Sequence, residues 1–227
     1  MKILAIDTSQ AAVSVCIMGD EGTLLASETA SMLRGHSEAL LPLVERVSKA
    51  AGLSLMQVDR VAVVVGPGSF TGIRIGIAAG RAIGMAAGVP VVGVSSLAAF
   101  AAPLIGRETS GVVAAAVDAK HGQVYVQGFT AKGQPLAAPR LAKVRDAVRG
   151  LGAGPLRFAG SGATMMAIEA WSMGAEAEVV GQAISPDIAF VARLGALADP
   201  AQALARPYYL KAPDAKLQSN AAIARSA

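Results

Sequence analysis

Two acidic residues each close an apolar run, Asp7 after Ile3-Leu4-Ala5-Ile6 and Asp118 after Val112–Val117. Thr8 and Ser9 follow the first, so a carboxylate, two hydroxyls and several amides gather at a strand end. Such a set can serve a Mg²⁺–phosphate group, with the acid near the metal and the hydroxyls near the phosphate. It is equally an ordinary Asx or Ser/Thr turn closing a hairpin, and spacing does not separate the two. Asp118 has no Thr or Ser after it and is the weaker candidate. Gly160-Ser161-Gly162 is a glycine turn ahead of a helix, where a nucleotide can lie. A plain strand-to-helix link is the commoner meaning of such a turn.

Gly66-Pro67-Gly68-Ser69-Phe70-Thr71-Gly72 offers amides at a helix N-terminus to an anion. It lacks the Gly-Lys-Ser/Thr ending of a P-loop. His36 and His121 are far apart, and only Glu38 lies near either at a metal-ligand distance in sequence. His36 reads as a helix-opening or interface residue. No nucleophile–base pair can be assembled, so no catalytic residue and no metal site is expected.

These residues need elements to hold them. Val61–Val65 is a β-branched strand, and Ser69 or Thr71 can cap a helix from Gly72 to Ala87 that ends at Gly88 and Pro90. Gly72, Gly76, Gly80 and Gly84 recur every fourth residue and form a ridge without side chains. Each interior glycine costs roughly 1 kcal/mol against alanine, so another backbone must pack very close, from the same lobe or from a partner. Arg74 sits in the first turn, where the helix dipole disfavours a cation. An anionic neighbour is expected there.

Upstream, Lys2–Asp7, Val13–Met18 and Leu24–Glu28 read as strands, and Ser37–Ala51 as a helix stopped by Gly52. Downstream come a strand over Val89–Val94 and a short helix through Ala102. The order β-β-β-α-β-α-β-α is the ribonuclease-H-like plan. The second half repeats the opening: Asp118 lies over Asp7, and Val124 and Val126 lie over Val13 and Val15. A helix around Leu141–Arg149, a strand over Leu156–Ala159, a helix from Ala163, a strand near Glu178–Val180 and a Ser185-capped helix over Pro186–Ala198 complete it. The expected fold is therefore α/β, two tandem ribonuclease-H-like lobes. The expected division is an N-terminal lobe over 1–106 with the dimerisation helices, a smaller lobe over 107–210 and a tail over 211–227 that either returns to the first lobe or is disordered.

The 227 residues suffice for a sizeable core, and the 53% hydrophobic content with 4% aromatics favours small, closely packed side chains. The net charge of +4 is mild, and Arg140, Lys143, Arg145 and Arg149 are its main cluster, read as a solvated helix face. Cys16 is the single cysteine, which excludes a disulfide framework. Residues 82–106 carry no charge, but Gly88, Pro90, Gly93 and Pro103 break them into helix, strand and helix, so no membrane span is expected. No signal-peptide core precedes Asp7, and a cytoplasmic location is expected.

ILAIDTS, GHSEALLPLVERV, VVVGPGSFTGIRIGIAAGRAIG, VSSLAAFA, VDAKHGQVYVQGF and RPYYL together closely resemble the TsaB (YeaZ) family. The resemblance covers nearly the whole chain, and GPGSFTGIR is its most specific motif. It implies two actin-like (ASKHA) lobes and a part in forming N6-threonylcarbamoyladenosine at position 37 of tRNAs that read ANN codons. It implies a non-catalytic subunit that pairs with the transferase TsaD, helps recruit the ATPase TsaE, and meets tRNA only through the complex. The family's pairing surface, used for the heterodimer and a self-dimer, implies interface roles for His36, Leu40, Leu43, Val47, Gly72, Arg74, Ile75, Gly76, Ala79, Gly80 and Ile83. Nucleotide or phosphate contact would fall to Asp7, Thr8, Ser9, Asp118, Gly160 and Gly162. No cofactor is required on this reading, although ATP or ADP with Mg²⁺ is the superfamily's ligand. The alternatives are an active ATP-dependent kinase of the same superfamily and a protease acting on TsaD.

Overall fold

The computed structural model describes residues 1–108 and 110–211. Its first sheet contains β1 (Ile3–Gln10), β2 (Ala12–Met18), β3 (Leu24–Ser31), β4 (Arg60–Gly66) and β5 (Val91–Ser95), in the order β3-β2-β1-β4-β5. β1 runs antiparallel to β2 and parallel to β4. The second sheet contains β6 (Val112–Asp118), β7 (Gln123–Thr130), β8 (Arg140–Lys143), β9 (Leu156–Ala159) and β10 (Ala177–Gly181), in the order β10-β9-β6-β7-β8. Read from the other edge, that is the same topology, with β6 in the place of β1. The internal repeat in the sequence is thus a repeat of the whole sheet plan.

Among the described residues six α-helices cover the sheets: α1 (His36–Ala51), α2 (Phe70–Ala87), α3 (Ser96–Ala101), α4 (Val144–Arg149), α5 (Ala163–Ser172) and α6 (Ile188–Leu197). α1 and α2 lie on one face of the first sheet, where Leu40, Leu43, Val44, Val47, Ile73 and Ile77 meet Leu4, Ile6, Val13, Val15, Val61 and Val63. α4 and α5 cover the outer face of the second sheet. Both inner faces are covered too, so the central strands are apolar throughout rather than alternating. Among the described residues no helix is long and apolar enough to cross a membrane.

Helices pack across the expected division at 107 in both directions. α6 packs its Ile188, Ala189, Val191 and Ala192 on Ile3, Ala5, Cys16, Val64 and Val92 of the first sheet. The chain then stays there: Gly93 N–H donates to the Ala203 carbonyl at 2.8 Å, Leu204 bridges Val92, and Tyr208 N–H donates to the Val65 carbonyl at 2.8 Å. Arg60 fixes the arrangement by donating from one terminal nitrogen to the carbonyls of Gly195, Ala196 and Ala198 at 2.8–3.1 Å, groups that a helix end leaves without partners. Conversely, α3 presses Leu97, Phe100 and Ala101 onto Val113, Ala115, Val117 and Phe129 of the second sheet. Each half of the sequence lends a helix to the space between the sheets. Of the tail expected over 211–227, residues 212–227 lie outside the described residues.

Two further elements differ from expectation. Leu141–Arg149 is not one helix; Arg140–Lys143 pairs antiparallel with β7 as an edge strand before α4 begins. α6 opens two residues later than expected, capped by Asp187, whose Oδ1 accepts from Ala189 N–H at 2.9 Å, and not by Ser185.

Candidate functional site

The ends of β1 and β6 face each other across a cleft of about 490 Å³ between the lobes. Ser9, Gln10 and His36 line it from one side, Asp118, Lys120 and Ser161 from the other, and Tyr208–Lys211 form part of its wall. The floor on the first lobe is a knot around the Gly66–Gly72 turn. Ser69 N–H donates to the Ser9 carbonyl at 2.8 Å. The Pro67 carbonyl accepts from Ser96 Oγ at 2.6 Å and from Gln10 Nε2 at 3.2 Å. Ser69 Oγ caps α2 by accepting from Gly72 N–H at 3.2 Å. Two of the amides that might have held an anion are thus committed within the chain.

The glycine ridge is packed against its own sheet. A Cβ on Gly72 would overlap the Thr8 carbonyl oxygen, and one on Gly80 or Gly84 would overlap Val63 or Val91. A Cβ on Gly76 would come within 2.5 Å of Thr8 Oγ1. The close neighbour that offsets the cost of these glycines is therefore the first sheet. Gly72, Gly76 and Gly80, for which the resemblance implies interface roles, are all buried in the lobe. Leu40, Leu43, Val47 and Ile83 are likewise core residues, turned inward by the amphipathic period. Arg74 keeps an exposed position, and Ile75, Ala79 and His36 are half-buried. His36 holds Nε2 at 2.9 Å from the Gln10 carbonyl, which places the proton on Nε2.

The two strand-end acids are in different states. Asp7 is buried at 1% exposure and does not line the cleft. Its Oδ1 accepts from Ser9 N–H at 2.7 Å, and its Oδ2 has no hydrogen-bond partner. Burial pushes its carboxyl above the ordinary value, against the hydrogen bonds from Ser9 and the charge of His36. Partial burial acts the same way on Asp118, but hydrogen bonds from the Lys120 side chain and backbone hold that carboxyl below its ordinary value. Lys120 Nζ lies 2.9 Å from Asp118 Oδ2.

Of the residues expected to touch a nucleotide, the structure brings Ser9 and Asp118 to the cleft. Thr8 is buried, its Oγ1 donating to the Gly72 carbonyl at 2.7 Å. Gly160 lines a separate cavity of about 150 Å³ beside α3, and Gly162 is packed against Ala116 and Val124. A Mg²⁺–nucleotide does not fit this set: one acid is sequestered in a medium that favours its neutral form, and the other is paired with a lysine. Among the described residues no group of three or more His, Cys, Asp or Glu could hold a metal.

Sequence reasoning missed the aromatic side of the cleft. Phe70 stacks on Tyr209 with ring centroids 4.7 Å apart, and the Arg74 guanidinium lies 3.8 Å above the Phe70 ring. Arg74 Nε donates to the Tyr209 hydroxyl at 2.9 Å. The anion expected beside Arg74 is replaced by two ring faces and a phenol. The signal was the Tyr208-Tyr209 pair in an otherwise aromatic-poor chain.

A family model described as "TsaD: tRNA N6-adenosine threonylcarbamoyltransferase" matches residues 23–208. The chain belongs to this family, in its TsaB (YeaZ) group. The tRNA threonylcarbamoyladenosine biosynthesis protein TsaB of Escherichia coli is 39% identical over 125 residues, 55% of this chain and 53% of that protein. The protein of the same name from Bacillus subtilis is 32% identical over 125 residues, with the same shares. The matched part thus spans about half the length of these curated relatives. Over the full fold, YeaZ from Pseudomonas aeruginosa superposes with a TM-score of 0.75 at 28% identity, covering 92% of this chain and 99% of that one. The ethanolamine utilization protein EutJ of Carboxydothermus hydrogenoformans shares the fold alone, at a TM-score of 0.51 and 16% identity.

Proposed function

We propose that this chain serves in forming N6-threonylcarbamoyladenosine on tRNA, as a non-catalytic subunit that pairs with the transferase TsaD and helps recruit the ATPase TsaE in the cytoplasm. The relatives named as TsaB biosynthesis proteins support the pathway. The observation that carries the non-catalytic role is the state of the two strand-end acids, Asp7 sequestered and Asp118 bound to Lys120.

The outward faces of α1 and α2 are the proposed pairing surface, for TsaD and for a second copy in isolation. They expose Leu41, Glu45, Arg74, Ala78, Arg81, Ala82 and Met85, and Met85 is 83% exposed. An apolar strip edged by charges is the composition of an interface. Size-exclusion chromatography with and without TsaD, followed by a threonylcarbamoyl-transfer assay on tRNA, tests the reading. Transfer by this chain alone would overturn it.

A second reading, an ATP-dependent kinase of the same fold, has the open cleft in its favour and the buried Asp7 and lysine-paired Asp118 against it. Calorimetry showing tight ATP–Mg²⁺ binding would support it over the first.

A further inference from the structure

After α6 the chain forms a strap that ends at the cleft. It is stitched to the sheet edge by Leu204 on Val92 and to the end of β4 by Tyr208 N–H on the Val65 carbonyl. From Tyr208 to Lys211 it lines the cleft, facing Asp118, Lys120 and Ser161. Tyr208 and Tyr209 are 41% and 39% exposed, so little apolar burial holds this last stretch, and segments of that kind open locally at low cost. The Tyr209 side chain is fastened by the cluster on α2: the Phe70–Tyr209 stack, the guanidinium of Arg74 on the Phe70 ring, and the Arg74–Tyr209 hydrogen bond. The guanidinium stands in a helix turn that disfavours a cation. Ring faces and a phenol oxygen are its compensation, so clasp and strap stabilise each other.

We propose that residues 207–211 are a latch on the interlobe cleft and that Arg74 is its clasp. While fastened, the strap covers part of the cleft and limits access to its wall, and the control point is Arg74 on the exposed flank of α2. This goes beyond the pairing reading and does not depend on it.

Hydrogen exchange on the full-length chain tests the clasp. Arg74→Ala should speed exchange of the 208–211 amides about tenfold, the loss of one charge-assisted contact, while β1 and β4 keep their protection. Tyr209→Phe keeps the stack and removes only the hydroxyl, and should give a smaller increase in the same amides. Lys132→Ala, an exposed cation of the second lobe away from the strap, should match the parent. Ala119→Cys, at a buried residue of the cleft wall, reports access. Its labelling should also quicken about tenfold in the Arg74→Ala background, following the same opening. Unchanged strap exchange in both Arg74→Ala and Tyr209→Phe overturns the proposal. So does an equal effect from Lys132→Ala, or labelling that ignores Arg74.

Discussion

Thr8 and Gly72 are joined by a 2.7 Å hydrogen bond from the Thr8 hydroxyl to the Gly72 carbonyl, and the Thr8 carbonyl in turn fills the space a Gly72 side chain would need. One residue thereby locks the end of β1 to the first turn of α2. The knot at the cleft floor depends on this approach, since Ser9 and Ser69 are held together immediately beside it.

Enlarging the ridge should therefore damage the fold before it damages any partnership. Gly80→Ala gains roughly 1 kcal/mol of helix propensity but forces a methyl against Val63, which costs about 1–3 kcal/mol. The expected net is destabilisation in a denaturant titration, and Gly80→Leu should not yield a folded chain. A folded Gly80→Leu monomer would place the ridge at a surface after all.

Charge reversal tests the pairing face without touching the core. Glu38 and Glu45 stand seven residues apart on α1, as do Arg74 and Arg81 on α2, and all four are exposed. Arg81→Glu should weaken association with TsaD or with a second copy about tenfold or more through like-charge contact, with circular dichroism unchanged. Equal elution profiles for parent and variant at micromolar concentration would remove α2 from the interface.

Asp7 should make stability depend on pH with an unusual sign. Its carboxyl is raised above the ordinary value, so the folded chain keeps the proton to higher pH than the unfolded chain does. The corresponding stability is complete below the ordinary aspartate value and is lost as pH rises through the folded one. Melting temperatures of the parent should thus fall against those of Asp7→Asn from acid toward neutral pH. Parallel curves would mean that Asp7 ionises without cost.

Cys16 should be inert while the chain is folded. Burial, then the charge of Asp187, pushes its thiol up to about 12, and it is fully buried between β1 and α6. Labelling by a thiol reagent should follow unfolding, and rapid labelling in native buffer would show that α6 leaves the sheet.

Arg60→Ala should cost about 2 kcal/mol by stranding carbonyls at the end of α6. Thermal melts would read the loss, and a variant as stable as the parent would mean that water replaces the guanidinium.

Much of this architecture was legible in the residues. The period-four glycines announced a very close neighbour, and the Asp7–Asp118 register announced two copies of one sheet plan. β8 was not legible: Arg-Leu-Ala-Lys is four residues long, half-exposed, and flows into α4 without a breaker. Nor was the surface status of the α1 and α2 residues, because resemblance picks out helices but not the faces they turn. Leu40 and Leu41 are neighbours in sequence, yet one is at 1% exposure and the other at 60%. The chemistry of the acids was hidden for a similar reason. Asp7 and Asp118 occupy matching places, and only burial and Lys120 tell them apart.

The exchange of α3 and α6 means that the two halves of the chain are not separable units. The helix that packs on the inner face of the first sheet comes from the second half. The helix pressed on the second sheet comes from the first half. A cut between the halves would strip each sheet of apolar cover, so co-expressed halves should be soluble only together.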